Sequence, residues 1–108
     1  MNNIAFELKT RLQNNQRTQK DISKSIEFLP KGHINILNRN GKGYYYLTYR
    51  DGKKINNDYL GVVGKTDIND TINKLKRRKV FDEQLKELKK EERILKKLIV
   101  QAKWEEEK

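Results

Sequence analysis

The sequence predicts an α+β fold in which two long helices flank a three-stranded antiparallel β-meander. Apolar residues recur at helical spacing in the first 29 residues and again after residue 67, and a tyrosine-rich stretch with short β-prone runs lies between them. Pro30, the only proline, ends the first helix because proline restricts the residue before it to extended geometry. We expect a single domain over 1–108, with an N-terminal helix (1–29), a meander (30–66) and a C-terminal helix (67–108) packed antiparallel on the first as a coiled-coil-like stalk.

The first helix has apolar residues on both sides of a polar stretch at 14–19. These apolar residues are Ile4, Leu8, Leu12, Ile22, Ile26 and Leu29. A heptad continued through the polar stretch places Asn15 and Gln19 at core positions. Two interpretations remain open: two shorter helices meet in the stretch, or one continuous helix has a weak polar middle.

The C-terminal helix carries a heptad seam with one charged interruption. Its positions are Phe81, Leu85, Leu88, Glu92, Leu95, Ile99 and Ala102. Thr66 or Asp67 is suited to cap its start, because a short side-chain oxygen accepts from the first free amides. The step from Leu75 to Phe81 breaks the spacing, so we expect a bend or a handover from packing on the sheet to packing on the first helix near 77–80. The same heptads allow a homodimer.

The meander contains three β-prone runs, at 34–37, 44–49 and 54–60, joined by turn sequences. A three-residue loop at 51–53 would place Tyr49 opposite Ile55 and Tyr45 opposite Tyr59, which gathers the large side chains on one core face with Leu47. The alternative is a two-residue turn that pairs Tyr49 with Lys54. A slip of one residue would move every side chain to the other face.

The formal net charge is +10, from 25 Lys and Arg against 15 Asp and Glu. Residues 31–66 have the strongest bias, with seven basic and two acidic side chains, whereas the charges after residue 67 are mixed in sign. This distribution favours a polyanionic partner. The alternative explanation is that a composition rich in Lys, Asn and Ile reflects an AT-rich genome.

Features typical of enzymes, metal sites and membrane proteins are missing from the sequence. With one histidine and no cysteine, Cys-His dyads and multi-histidine metal sites within one chain are excluded. Only two residues separate Gly61 from Gly64, where a P-loop needs four between its glycines. No apolar run is long enough for a bilayer, and the first residues do not resemble a secretory signal. We therefore expect a cytoplasmic protein that is not an enzyme and uses no cofactor or metal.

Basic and amide side chains around the meander are the candidate nucleic-acid contacts. They come from the strand ends, both turns, the Gly-Lys-Thr segment and the basic run of the last helix: Lys31, Asn35, Arg39, Lys42, Arg50, Lys53, Lys54, Asn57, Lys65, Arg77 and Arg78. Arg, Lys and Asn hydrogen-bond base edges and phosphates, and a small β unit fits a major groove. Tyr44 and Tyr46 fall opposite the core face and are able to stack on bases. The amides near Lys65, at a helix start, suit a single phosphate. The alternative is a sheet whose outer face is merely polar.

Residues 31–71 resemble the arm-type DNA-binding domain of phage and transposon tyrosine integrases, a relative of AP2 modules. The resemblance is carried by Asn40-Gly41, the Tyr-Tyr-Tyr-Leu-Thr-Tyr strand at 44–49, Asp51-Gly52-Lys53-Lys54 and the Gly-Lys-Thr-Asp segment at 64–67. It implies a sheet in the major groove, with DNA contacts from Asn35, Arg39, Tyr46, Thr48, Arg50 and Asn57. The sequence also resembles small phage and low-GC bacterial proteins that share a Leu-Pro-Lys-Gly start and this strand.

These observations give three functional hypotheses. The first is a small basic nucleic-acid-binding protein of phage or mobile-element origin, with DNA favoured over RNA. The second is an anti-CRISPR or other anti-defence inhibitor that binds a protein or a nucleic-acid–protein complex. The third is a coiled-coil interaction protein. None of the three places the chain in a membrane.

Overall fold

A computed structural model describes residues 3–106, with side chains described up to residue 103. It confirms the predicted α+β class, with two long helices flanking a three-stranded antiparallel sheet. The elements in chain order are α1 (Ile4–Glu27), β1 (His33–Arg39), β2 (Lys42–Asp51), β3 (Lys54–Val62) and α2 (Asn69–Glu106). Neither of the helices in this part of the chain is long and apolar enough to cross a membrane.

The chain forms two compact units that share α2. The helix unit consists of α1 with α2 from Val80 onward, and the sheet unit runs from Leu29 to Lys79. The helix is continuous through this boundary, so the predicted change of packing partner near 77–80 is confirmed without a break in the helix. Because the first part of α2 belongs to the sheet unit, the length left to pair with α1 is close to the 24 residues of α1 itself.

The first helix is continuous through its polar middle, which settles the alternative left open by the sequence. The Asn3 side chain caps its start by accepting from the Phe6 amide at 3.1 Å. Glu7 in the first turn and Lys24 in the last turn complement the helix dipole. The helix ends at Glu27, before the extended segment that Pro30 requires.

The helix unit has its core along two heptad seams. On α2 the seam has the predicted positions, with Leu95 and Ile99 buried, and on α1 it comprises Ala5, Leu8, Leu12, Asn15, Gln19, Ile22 and Ile26. Ile4, the first residue of the predicted apolar repeat, lies outside this seam. Ile4 is 60% exposed and Ala5 is buried, because the alternating three- and four-residue spacing runs upstream from Leu8 to position 5.

Asn15 forms a polar layer in this core and is only 3% exposed. Its Nδ2 donates to the Leu88 carbonyl at 2.9 Å and to Glu91 Oε1 at 3.1 Å, and its Oδ1 accepts from Gln19 Nε2 at 2.6 Å. The neighbouring Gln16 donates to Glu92, the charged seam position, at 3.2 Å. These bonds fix the antiparallel register of the two helices, because each buried donor and acceptor is satisfied in only one alignment.

The sheet has the strand order β1-β2-β3 and two tight hairpins. Arg39 pairs with Lys42 around Asn40 and Gly41, whose φ angles of 51° and 79° are those of a type I′ turn. Asp51 pairs with Lys54 around Gly52 and Lys53, with positive φ only at Gly52, which is typical of a type II′ turn. Both loops therefore have two residues.

The second hairpin corrects the predicted register. Tyr49 lies opposite Asn56 instead of Ile55, and Tyr46 instead of Tyr45 lies opposite Tyr59. The prediction of a three-residue loop was wrong. Because Gly52 adopts a positive φ, Gly52 and Lys53 are enough to form the turn, and Asp51 belongs to the strand. The alternative pairing of Tyr49 with Lys54 is also wrong. As a result, Tyr59 moves to the face opposite Tyr45.

A β-bulge interrupts the pairing of β2 with β3. Tyr46 pairs with Tyr59, but Tyr45 pairs with Gly61, so Leu60 is the extra residue of β3. Gly61 has a φ of 147°, and a Cβ there would overlap the Thr66 side chain. The close approach of the segment after β3 therefore requires glycine at this position.

The packed face of the sheet carries Leu47, the only described strand residue that is buried. A cavity on this side is lined by Leu29, Pro30, Lys31, Leu47, Tyr49, Asp58 and Arg78. Arg78, from the first part of α2, donates to the Leu29 carbonyl at 2.9 Å and so ties the helix to the chain before β1. The negative charge of Asp58, followed by burial, raises the pKa of Tyr49 above its usual value.

Candidate nucleic-acid interface

The face of the sheet opposite Leu47 is called the open face here. It consists of the residues whose register places them on the side away from the cavity: His33, Asn35, Leu37, Arg39, Lys42, Tyr44, Tyr46, Thr48, Arg50, Ile55, Asn57, Tyr59 and Val62. No Asp or Glu of the three described strands lies on it, since Asp51 and Asp58 both fall on the packed face. The open face is therefore basic and free of strand carboxylates.

A hydrogen-bonded polar row crosses the middle of the open face. Asn35 Nδ2 donates to Thr48 Oγ1 at 2.7 Å, and Thr48 Oγ1 donates to Asn57 Oδ1 at 2.7 Å. The three side chains come from three different strands, so the sheet itself brings them together. This pattern leaves Asn35 with its carbonyl oxygen and one N–H for a ligand, and Asn57 with both of its N–H groups.

Three tyrosines form an aromatic cluster beside the polar row. The rings of Tyr44 and Tyr59 meet edge to face with centroids 6.2 Å apart, and those of Tyr46 and Tyr59 lie 5.6 Å apart. Such contacts hold the rings in place. Tyr59 is 54% exposed, so the cluster offers a ring surface and phenol hydroxyls to a partner.

The cations of the open face lie toward the two hairpin turns. Arg39 and Lys42 flank the first turn and Arg50 lies one residue before the end of β2, and all three are exposed. The whole sheet unit has twelve Lys and Arg against four Asp, a net charge of +8. Most of the +10 charge of the chain is thus concentrated in the unit that carries the open face.

Of the eleven basic and amide candidates together with Tyr46 and Thr48, the structure gathers seven on the open face: Asn35, Arg39, Lys42, Tyr46, Thr48, Arg50 and Asn57. Lys53 lies in the second turn, and Lys54 follows it on the packed face. Lys31 and Arg78 line the cavity of the packed face, and Arg77 is exposed on α2. All six residues that the integrase resemblance implies are among the seven.

Backbone hydrogen bonds occupy part of the predicted phosphate site at Lys65. The amides of Lys65 and Thr66 both donate to the Val62 carbonyl at 3.1 Å, and the Asn69 amide donates to Asp67 Oδ1 at 2.9 Å. Asp67 thus takes the capping role that the sequence assigned to it or to Thr66. Two of the amides that were expected to bind a phosphate, those of Lys65 and Thr66, are therefore already used within the chain.

Sequence reasoning missed the contribution of Tyr59 to the open face. The predicted register placed it with Tyr45 on the core side, and the structure places it between Tyr44 and Tyr46. Gly52 is the residue from which the correct register could have been predicted, because glycine at the first central position of a hairpin turn favours a two-residue loop. Ile55 was likewise expected on the core face, and it lies on the open face with Leu37, where they are 59% and 43% exposed.

The fold and this face define a small α+β protein whose sheet presents a basic, aromatic surface to solvent. The chain belongs to the family described as Domain of unknown function (DUF6788), whose model matches residues 7–70, from α1 to the start of α2. No curated protein and no solved structure matches it.

Within the described residues, no cluster of three or more His, Asp or Glu is placed to hold a metal ion. The likeness to integrase arm domains stays a prediction.

Proposed function

We propose that this protein binds nucleic acid, with DNA favoured, through the open face and the turns beside it. One observation carries the proposal: the open face combines amide groups in its middle with cations at its ends and has no carboxylate among its strand residues. Phosphate contacts position a protein on nucleic acid, and contacts to base edges give specificity. Arg39, Lys42 and Arg50 suit the first task, and Asn35 and Asn57 suit the second.

The dimensions of the sheet support a duplex as the ligand. Neighbouring strands lie about 4.8 Å apart, so three strands span about 10 Å between the outer backbones, and a B-DNA major groove is about 12 Å wide. With the sheet in the groove, the polar row faces base edges, and the cations near the turns reach the phosphates on either side. This arrangement is the one that the integrase resemblance implies.

The tyrosine cluster supports a single strand as the competing ligand. Base–aromatic stacking contributes about 1 to 3 kcal/mol per base, and Tyr59 offers an exposed ring for it. Matched duplex and single-stranded probes therefore separate groove binding from stacking. Stronger binding of the duplex is expected, since the rings of Tyr44 and Tyr46 both contact the Tyr59 ring and the amides stand in the middle of the sheet.

A salt-titrated binding curve tests the proposal. Fluorescence anisotropy with a labelled duplex should show affinity that falls steeply with salt, with a log–log slope of about −5 if about six phosphates are neutralised. Absence of binding at about 50 mM salt, where phosphate contacts are strongest, would overturn the proposal.

Charge reversal at Arg39 and Arg50 tests whether the open face is the binding surface. Arg39→Glu with Arg50→Glu should weaken binding at least about a hundredfold and lower the salt slope by about two, because two phosphate contacts become repulsive. Lys97→Glu is the matched control, since Lys97 is exposed on α2 in the helix unit and the change in net charge per substitution is the same. Equal losses from Lys97→Glu and from either arginine reversal alone would show that net charge, and not this face, governs binding.

A second candidate function is favoured by the exposed apolar side chains of the open face. Leu37, Ile55 and Tyr59 are 43%, 59% and 54% exposed, and such side chains are common in protein interfaces. They suit an anti-CRISPR or other anti-defence inhibitor of phage or mobile-element origin that binds a protein or ribonucleoprotein. Capture of a defence complex by the wild type and not by Tyr59→Ala, without binding to naked DNA, would favour this candidate.

Under either candidate we propose a binding protein rather than an enzyme, acting in the cytoplasm. His33 is the only histidine of the chain and lies exposed at the start of β1, and the sequence has no cysteine. A nuclease or phosphatase assay with the pure protein tests the first statement, and turnover that follows the protein through purification would contradict it.

A further inference from the structure

The polar row of the open face holds its two asparagine amides in opposite orientations. Asn35 turns its amino group toward Thr48, since Asn35 Nδ2 donates to Thr48 Oγ1 at 2.7 Å. Asn57 turns its carbonyl oxygen toward the same hydroxyl, since Thr48 Oγ1 donates to Asn57 Oδ1 at 2.7 Å. Within the described part of the chain, no other hydrogen bond engages either amide. The two asparagines therefore offer different groups to a ligand.

This difference arises because a hydroxyl has a single hydrogen. The Thr48 hydroxyl gives its hydrogen to Asn57 and accepts a hydrogen from Asn35. Asn35 keeps its carbonyl oxygen and one N–H, which are an acceptor and a donor on one amide, whereas Asn57 keeps both of its N–H donors. Asn57 is exposed and Asn35 is half-buried, so a ligand on the open face is able to reach both amides.

Each of these sets of groups matches one base in the major groove. Adenine shows the N7 acceptor beside the N6 amino donor, and asparagine binds both atoms with its own donor and acceptor. Guanine alone shows two neighbouring acceptors, N7 and O6, which lysine contacts from a single nitrogen. The Nδ2 atom of Asn57 is likewise a single nitrogen that has only hydrogens to donate.

We infer that the polar row reads an A·T pair next to a G·C pair, with Asn35 on adenine and Asn57 on guanine. This inference rests on the proposed function and specifies the ligand of the same site. The spacing of the amides supports adjacent pairs. Asn35 Nδ2 and Asn57 Oδ1 both bond Thr48 Oγ1, so these two atoms lie within about 5.4 Å of each other, and successive base pairs are about 3.4 Å apart.

The composition of the open face argues against cytosine at this position. Cytosine presents its N4 amino donor in the major groove and is read by carboxylates. Both aspartates of the described strands, Asp51 and Asp58, lie on the packed face. The two free donors of Asn57 meet no acceptor on cytosine in this groove, so a G·C pair is expected to place its guanine at Asn57.

Selection of duplexes from a randomised library, followed by fluorescence anisotropy on single-base variants, tests the inference. The selected duplexes should share an A·T pair next to a G·C pair. Replacement of either pair should lower the affinity by about fivefold to a hundredfold. Asn35→Ala should remove the preference at the A·T pair and keep the preference at the G·C pair, because Thr48 still donates to Asn57.

Asn57→Asp should change the preferred base from guanine to cytosine. One carboxylate oxygen still accepts from Thr48, the second accepts from the cytosine amino group, and no donor is left for guanine. Asn40→Asp is the matched control, because it makes the same replacement in the first turn, outside the polar row. This control should keep the base preference of the wild type. Circular dichroism verifies that each variant is folded.

The possible failures are distinguishable. Absence of binding to any duplex overturns the proposed function and the base assignment together. Equal binding to all duplexes overturns the base assignment alone, and so does a guanine preference that a folded Asn57→Asp variant retains. If Asn57→Asp does not fold, Asn35→Ala decides: an unchanged preference for adenine in that variant overturns the assignment.

Discussion

The hydroxyl of Thr48 donates to Asn57 Oδ1 at 2.7 Å while it accepts from Asn35 Nδ2, so one side chain sets the orientation of two amides on neighbouring strands. Asparagine reads adenine through a paired donor and acceptor, which Asn35 retains, while Asn57 retains two N–H donors, and both kinds of contact require a fixed amide plane. The proposed function therefore assigns Thr48 a positioning role in addition to any contact of its own.

Replacement of Thr48 by Val tests this role. The change keeps the shape of the side chain and removes both hydrogen bonds, so the free energy of unfolding should fall by about 1 kcal/mol. The ratio of specific to non-specific DNA affinity should fall more than the non-specific affinity itself, because phosphate contacts are untouched. Thr48→Ser keeps the hydroxyl and is the control. Identical behaviour of the Val and Ser variants in urea unfolding and anisotropy would contradict the assigned role.

Asn15→Asp should destabilise the protein by about 2 to 4 kcal/mol in urea unfolding at neutral pH. The substitution removes the Nδ2 donor from the Leu88 carbonyl and places a carboxylate beside Glu91 at a buried position. Asn14→Asp introduces the same charge at an exposed neighbouring position and should change the stability by less than about 0.5 kcal/mol. Equal effects of the two changes would show that the polar layer is not formed.

Gly32→Ala should be far more destabilising than Gly41→Ala. Gly32 has a φ of 104°, and a Cβ there would overlap the Thr48 carbonyl oxygen, which is backbone and unable to move aside. Gly41 has a φ of 79° with open space around it, so its substitution costs only the left-handed conformation, about 1 kcal/mol. We expect about 3 kcal/mol or more for Gly32→Ala. Thermal unfolding of both variants measures the difference.

Asp58→Asn should lower the pKa of Tyr49 toward its usual value, because the charge of Asp58 is the main cause of the raised pKa. Asp51→Asn should lower it by less, since Asp51 is a smaller cause. A tyrosine whose pKa is raised on folding contributes to the stability of the folded state at pH values below its pKa in the unfolded chain, about 10. This contribution is lost as the pH rises through the pKa of the folded protein. Ultraviolet titration of the phenolate, with unfolding curves at alkaline pH, checks both expectations.

The sequence predicts the helices well because their signals are local. The spacing from Phe81 to Ala102 on α2 identifies its seam, and Pro30 identifies the end of the first helix. Ile4 and Ala5 are both apolar, and only the partner helix decides which of them faces the core. Asn15 was correctly placed in the seam, but its partners Leu88 and Glu91 lie more than 70 residues away in the chain.

The open face was harder to predict, since its composition depends on how one strand aligns with another. Local turn chemistry at Asn40-Gly41 predicts the first hairpin, and Gly52 allows either of two loop lengths in the second. A difference of one residue decides whether Tyr59 joins Tyr45 or Tyr46. The polar row is therefore visible only in the folded sheet, although its three residues are prominent in the resemblance to integrase arm domains.

The bulge at Leu60 affects the shape of the open face but not which side chains lie on it. Removal of Leu60 would let Gly61 follow Tyr59 directly, and every observed pair between β2 and β3 would keep its partner and its face. What would change is the local twist that an extra residue imposes on the sheet. The residue that sets the curvature of the open face is thus different from the residues whose side chains the face presents. The curvature is able to change while these side chains stay the same, and the side chains are able to change while the curvature stays the same.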